Sequence, residues 1–449
     1  MLIRTLGMVL VCWCVTLCVP GSAQGQSGAD MQRVMDRLDR LEKQNQELMT
    51  EIQELRRQLA PTPAPADSPP PVTERLDVQE SRTAELAQSK VGASQRMPVS
   101  LTGMVLFNAF HNGGYGGGLQ VPVTAQLSDA PASTGASFRQ TVIGLKFNGP
   151  DLPGGGKASG SAYFDFWGGT ASPGNNLFRI RLATIDFAWK NTTITAGQDK
   201  PIVSPREPMS LAQVGLAPLT GAGNLWDWQP QLRIEQRFAF GEQTGLRAQA
   251  GVYETAEVYP STAPAALAGS LERQRPAYEG RVLFYHGSEN KRFELAPGFH
   301  FSDTHVAGRS VGSQLGTLDW LIKPTTLIEF AGALFRGTNA AGLGGLRQGF
   351  TIRPSGDVVP VHATGGWSQL TLFPGDRLSL HIFGGEERDR ASDLVANNVR
   401  RNLVYAGNIV YKLAPNVLAA LEVSQTRTNY MAAGLRLNNH YDLAFAYLF

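Results

Sequence analysis

The sequence predicts an all-β fold, a sixteen-stranded antiparallel transmembrane β-barrel preceded by a short parallel coiled-coil helix. Three observations predict it. First, the stretch 441–449 alternates, with Tyr441, Leu443, Phe445, Tyr447 and Phe449 on one side of an extended chain and Asp442, Ala444, Ala446 and Leu448 on the other. A soluble sheet would carry that aromatic side as a sticky edge, whereas a closed barrel facing lipid requires it. Second, the chain from residue 98 onward divides into sixteen strand-like segments joined by connections that run long and short in turn. Barrels that cross an outer membrane segregate loops in this way, and sandwiches have no reason to. Third, 49 glycines, 42% hydrophobic residues and only 17% charged residues describe many strands and turns, and a net charge of +2 supplies no nucleic-acid footprint.

The elements follow in chain order. Residues 1–23 read as a secretory signal. Arg4 opens it, the apolar run Leu6 to Val19 is shorter than the ~20 residues a membrane-spanning helix needs, and Gly21-Ser22-Ala23 offers small residues for cleavage. Cys12, Cys14 and Cys18 all fall inside this segment, so the exported chain is expected to carry no disulfide, thiolate metal site or cysteine nucleophile.

Residues 30–60 change period. Met31, Val34, Leu38, Leu41, Asn45, Leu48, Ile52, Leu55 and Leu59 recur at steps of three and four, the seam of a coiled coil on the periplasmic side. Arg37 and Glu42 flank the seam where helices of identical chains bridge one another. The run Arg37-Leu-Asp-Arg-Leu-Glu42 is similar to a pattern found in short three-stranded parallel coiled coils, while Asn45 at a seam position also suits dimers. A homotrimer is favoured over a dimer. Residues 61–97, opening with Pro61, Pro63 and Pro65, read as a semi-rigid, polar linker.

The barrel is expected over 98–449, with strands near 99–110, 138–148, 158–168, 177–189, 192–198, 231–240, 244–256, 277–286, 291–302, 310–322, 325–336, 360–373, 376–385, 399–413, 416–427 and 439–449. An even number brings both barrel ends to the periplasmic side, where the coiled coil and Phe449 must both lie. About sixteen strands leave a water-filled channel, so polar inward faces and apolar outward faces are expected.

Several phrases carry a resemblance: Leu101-Thr-Gly-Met-Val-Leu-Phe-Asn108, Phe164-Asp-Phe166, Gly197-Gln198, Gln229-Pro-Gln-Leu-Arg233 and Gly365-Gly-Trp-Ser-Gln369. With the order of signal, heptad helix, linker and barrel, they make the chain resemble the DcaP-like trimeric porins, and more weakly the phosphate-selective porins. The resemblance implies a homotrimer in the bacterial outer membrane, in contact with its lipid and lipopolysaccharide, that lets small and often anionic solutes diffuse. It also implies that the alternating ending, from Tyr441 to Phe449, marks the chain for the barrel-assembly machinery. In such porins the third external loop folds into the lumen, and here the connection 199–230 takes that place.

That connection carries Lys200, Arg206, Glu207, Trp226 and Asp227. Adjacent strands bring Arg179, Arg181, Arg233, Arg237 and Arg247, together with the carboxylates Asp165 and Glu235. Arginines opposite carboxylates would set a transverse field across a narrow lumen and favour anionic groups. The alternative is that these arginines are ordinary lumen residues paired to Asp165, Glu235 or Glu254. No cofactor or metal is expected. Glu386, Glu387, Asp389 and Asp393 read as a solvated acidic loop rather than a calcium site. The function predicted is passive diffusion without chemistry. A plugged barrel serving as an envelope anchor or adhesin is the competing reading. The only Ser–His pair suited to a barrel hydrolase, Ser379 and His381, lies two residues apart on one strand, ~7 Å by strand rise, too far for a hydrogen bond unless the side chains lean together.

Overall fold

The computed structural model describes residues 99–169 and 176–449, together with the isolated helical residues Lys43 and Thr50. The expected signal, coiled coil and linker lie outside the described residues.

Sixteen barrel strands follow one another. They are β1 (Val99–Asn112), β2 in two pieces (Ser133–Ser137 and Val142–Leu152), β3 (Gly156–Gly168), β4 (Leu177–Ala188), β5 (Thr192–Asp199), β6 (Gln229–Ala239), β7 (Thr244–Ala256) and β8 (Gln274–Gly287). The second half comprises β9 (Arg292–Val306), β10 (Arg309–Thr325), β11 (Ile328–Thr338), β12 (His362–Gly375), β13 (Leu378–Asp389), β14 (Val399–Ala414), β15 (Val417–Tyr430) and β16 (Gly434–Leu448). Each pairs antiparallel with the next, and β1 pairs with β16 from Met104↔Leu448 to Asn112↔His440, so the sheet closes on itself. The two pieces of β2 lie along the same edge of β1, as Asn108↔Ser137 and Leu101↔Leu145. Between them, residues 138–141 leave the ladder, and Arg139, Gln140 and Thr141 are buried on the inner side.

The closing seam is tight. Gly103 and Phe449 exchange both backbone hydrogen bonds, at 3.0 and 3.1 Å. A Cβ on Gly103 would lie 2.3 Å from the Val142 carbonyl oxygen and 2.9 Å from the Phe449 ring, so only glycine fits. The expected alternation holds along β16: Tyr441, Leu443, Phe445 and Tyr447 are exposed on the outer face, while Asn438, His440 and Asp442 are buried on the inner side.

Two expectations need correction. The external connections are not all long. Residues 307–308 and 431–433 are tight turns, because β9, β10, β15 and β16 run further than their apolar patterns indicate. Ala307 and Gly308 both take positive φ, 50° and 73°, the two-residue hairpin geometry that matches strand twist. The inner wall is also not polar throughout. Phe335, Ala363, Trp367, Phe383 and Val404 point inward on β11–β14 and form buried apolar clusters with Leu219, Ala222, Leu225, Ala340 and Leu343 of two connections. A lumen wall turns apolar where folded chain, rather than water, covers it.

Candidate functional site

The connection 200–228 enters the lumen and is bonded in turn to strands around the inner wall. Near its start, the Ile202 amide donates to the Tyr253 hydroxyl at 2.9 Å and the Val203 amide to Glu279 Oε2 at 3.3 Å, on β7 and β8. It then reaches β12, where the Met209 amide donates to Gln369 Oε1 at 2.7 Å. On β14 and β15, Asn408 Nδ2 donates to the Met209 carbonyl at 2.8 Å and Ser210 Oγ donates to Glu422 Oε2 at 2.6 Å. Asn108 on β1 donates to the Leu211 carbonyl at 2.9 Å.

The inward break in β2 now finds its purpose. Gln140, fully buried there, donates to the Ala212 carbonyl at 2.8 Å and accepts from the amides of Val214 and Gly215 at 2.7 and 2.8 Å. On β4, Arg181 donates to the Val214 carbonyl at 2.6 Å and Arg179 to the Gly215 carbonyl at 2.5 Å. The return limb packs on the connection 339–361: the Trp226 amide donates to the Leu343 carbonyl at 2.8 Å, and Gly344, at φ 98°, leaves room for the Trp226 ring 2.6 Å from where a Cβ would stand. Inside the barrel, backbone groups away from water must find partners, and inward Asn, Gln and Arg side chains provide them.

The charged residues around this loop are mostly paired. Asp165, with a side chain 0% exposed, holds Arg179 at 2.7 Å and Arg181 at 3.0 Å, and both guanidinium groups lie over the Trp228 ring at 5.1 and 4.6 Å. Arg233 pairs with Asp199 at 2.6 Å, and Glu235 takes Arg237 at 2.9 Å and Arg247 at 3.4 Å. Lys200 meets Glu207 at 2.9 Å within the loop. Arg206 bonds to Glu294 and, at 3.2 Å, to Asp319. The pairing of the arginines with Asp165 and Glu235 is therefore the arrangement found, with Glu254 taking no part in these pairs. Trp226 is buried against Trp228, ring centroids 5.1 Å apart, so it holds the loop together and is not a channel surface. Asp227 is partly exposed, and its burial pushes the carboxyl up to about 6 against the opposing pull of Arg347.

Sequence reasoning missed part of the lining. A cavity of about 510 Å³ is bordered by Arg206, Arg247, Arg281, Arg292 and Lys323, with Glu289, Glu294 and Glu329. Arg281 is clamped on Asp319 through two hydrogen bonds of 2.7 and 2.8 Å. Arg281, Arg292 and Lys323 sit at inward positions of β8, β9 and β10, and alternation against their exposed neighbours Val282 and Phe293 is the signal that would have found them.

The acidic run is not a solvated loop. Glu387 and Asp389 are buried inward residues of β13, Glu386 points outward from the same strand, and Asp393 accepts from the His362 amide. Among the described residues no group of three or more His, Cys, Asp and Glu side chains is placed to hold a metal ion. Ser379 and His381 do lean together, with Oγ and Nε2 3.0 Å apart. The far side of that imidazole meets Thr371 Oγ1 at 3.1 Å rather than a carboxylate.

Comparison with solved structures gives the same architecture. The outer membrane channel DcaP of Acinetobacter baumannii superposes with a TM-score of 0.65 at 15% identity, over 79% of this chain and 98% of that one. OmpF of Salmonella typhi, in complex with daunomycin, superposes with a TM-score of 0.51 at 11% identity, over 78% and 97%. No protein-family model matches the sequence, and no curated protein matches it. The chain thus has the barrel fold of outer-membrane porins.

Proposed function

We propose that this chain is an outer-membrane porin that lets small hydrophilic solutes diffuse passively, with a mild preference for anions. The observation that carries the reading is the cavity bordered by Arg206, Arg247, Arg281, Arg292 and Lys323 inside a closed sixteen-stranded barrel. Five cations line it against the three carboxylates Glu289, Glu294 and Glu329, while Asp319 and Glu235 pair with Arg281 and Arg247 from beside it, so the charges nearly balance, which suits a weak bias rather than strict selection. Guanidinium groups bind carboxylate and phosphate oxygens in pairs, so small organic acids and phosphorylated solutes are the class that gains most. The functional unit is a homotrimer. The pore constriction is formed by Lys200, Arg206, Glu207 and Asp227 of the loop together with Arg233, Glu235, Arg237 and Arg247 of the wall.

The test is the reversal potential of single channels in a potassium chloride gradient. Replacing Arg233 and Arg237 with Gln frees Asp199 and part of Glu235, so the ratio of chloride to potassium permeability should fall. Partly exposed pairs of this kind are worth about 0.5–1 kcal/mol, hence a two- to fivefold change. A reversal potential that does not move removes both residues from the selectivity reading.

A plugged barrel acting as an anchor or adhesin draws on a different observation, the apolar packing of the loop against β11–β14. Planar-bilayer recording separates the two. Large open steps in groups of three favour the porin, and a silent membrane with inserted protein favours the plug.

A further inference from the structure

The outward face of the barrel carries charge where hydrocarbon contact would forbid it. Arg336 on β11, Arg388 on β13 and Arg401 on β14 fall on one row across the strands, because Arg336 pairs with Thr364, Thr364 with Arg388, and Arg388 with Arg401. Their outward direction follows from alternation: Leu334 and Ile382 on the same faces are 51% and 64% exposed, while the intervening Phe335, Phe383 and Glu387 are buried in the lumen. Arg427 on β15 lies one outward step below the row, opposite Leu403 and over the Tyr405 ring, and Arg390 lies just beyond β13. Arg336, Arg388 and Arg401 stand near the strand ends that lead into the external connections 339–361 and 390–398.

Two features show that the row is short of negative charge. Arg388 and Arg401 face each other directly, a like-charge pairing that destabilises a sheet, and the single carboxylate Glu386 bonds to both. Arg388 and Arg401 nonetheless remain 63% and 42% exposed. Among the described residues Glu386 is the carboxylate on this outward row. Asp389 borders the same cleft but turns inward, where Gln348 donates to it at 2.6 Å. The cleft, about 430 Å³, has Arg336 on one wall and Arg388 with Arg390 on the other, with the small side chain of Thr364 between them. Towards the membrane centre the outward positions on these strands become Leu334, Gly366, Ser368, Ile382 and Gly384, small or apolar and without charge.

An exposed arginine costs about 2–4 kcal/mol at the midplane of the bilayer and close to nothing at its edge, so this row belongs at the headgroup level of the outer leaflet. Arginines at that level, above an uncharged surface, match an amphiphile with phosphates at its head and acyl chains below. We propose that the external rim of β11–β14 is a binding site for a phosphorylated glycolipid of the outer leaflet. Its phosphates bridge Arg336 and Arg388 over Thr364 and relieve the repulsion between Arg388 and Arg401. Its acyl chains lie against Leu334, Ile382 and the small residues below.

The inference rests on the outer-membrane placement proposed above but not on conduction, and its test uses no current measurement. The full-length protein in detergent micelles is titrated with bis-phosphorylated lipid A, with the same lipid after phosphatase treatment, and with inorganic pyrophosphate, and bound lipid is counted by native mass spectrometry. Bis-phosphorylated lipid should be retained about tenfold more strongly than the dephosphorylated form. The triple variant Arg336→Gln, Arg388→Gln, Arg401→Gln should lose that advantage, and the triple Lys variant should keep most of it. Heat-modifiable mobility on gels verifies that each barrel is folded, and if the triple Gln variant fails that check, Arg388→Gln alone is read in its place. Equal retention of the two lipids, or undiminished binding by the folded Gln variant, overturns the proposal. So does full competition by pyrophosphate, which would make this a site for soluble phosphate, or disulfide cross-linking of Arg388→Cys between copies in membranes, which would make it a subunit contact.

Discussion

Asp227 shows how one side chain in the lumen couples charge to pH. Its carboxyl, partly desolvated on the return limb of the loop, is pushed up from 3.8 to about 6. As pH falls through that value the group takes up a proton, the lumen loses one negative charge, and the preference for chloride over potassium should rise. The sign for stability follows from the same shift. A raised carboxyl favours the folded loop fully below 3.8, and that contribution is lost as pH climbs through about 6. Reversal potentials recorded between pH 5 and pH 7.5 check the first effect, and Asp227→Asn should flatten the curve at its acidic end. At this scale the inward direction of Arg233, Glu235 and Arg237 was legible, because Leu232 and Ile234 alternate with them. Their partners were less so. That Arg233 reaches Asp199 depends on how β5 and β6 set their ends together.

Among the elements, the folded loop and the broken strand depend on each other. Gln140 donates to Asn108 Oδ1 at 2.9 Å and to Ala212, and accepts from Val214 and Gly215, so one side chain ties β1, β2 and the loop. Gln140→Ala leaves buried backbone groups without partners, at about 1–3 kcal/mol each. The loop should then open more often while the barrel ladder stays intact. Single-channel current noise should increase and limited proteolysis within 200–228 should quicken, with little change in the temperature at which the sheet melts. Unaltered noise and cleavage would mean that the remaining bonds from Asn108, Asn408 and Glu422 hold the loop without it. Nothing local in the sequence marks this device. Phe138 and Arg139-Gln140 read as the start of a strand, and only the path of a distant segment makes their departure from the ladder worthwhile. The inward placement of Trp367 and Phe383 goes unmarked for a related reason, since nothing local separates an aromatic side chain on the outer face from one that meets a folded loop.

For the molecule as a whole, the sixteen strands and their order were readable because lipid on one side and a wet lumen on the other impose a period of two on nearly every segment. Strand ends were read less well wherever a tight turn replaced a loop, as at Ala307-Gly308. Phe449 lengthens the closing ladder by one pair, exchanging two hydrogen bonds with Gly103 and packing its ring where that glycine leaves space. Deleting Phe449 should lower the fraction of heat-modifiable, assembled protein several-fold while leaving the conductance of each assembled channel unchanged. Altered conductance with normal assembly would instead assign the residue to the pore.

The contact between the first and last strands carries a temporal implication. Asn108 and Asp442 meet across that joint at 2.9 Å although they stand 334 positions apart in the chain. No partial barrel can satisfy the free edges of both strands, and contacts between such distant segments form slowly. Until the final strand arrives, two unpaired rims wait open to any other extended peptide, and the nascent molecule has to be shielded by something other than itself.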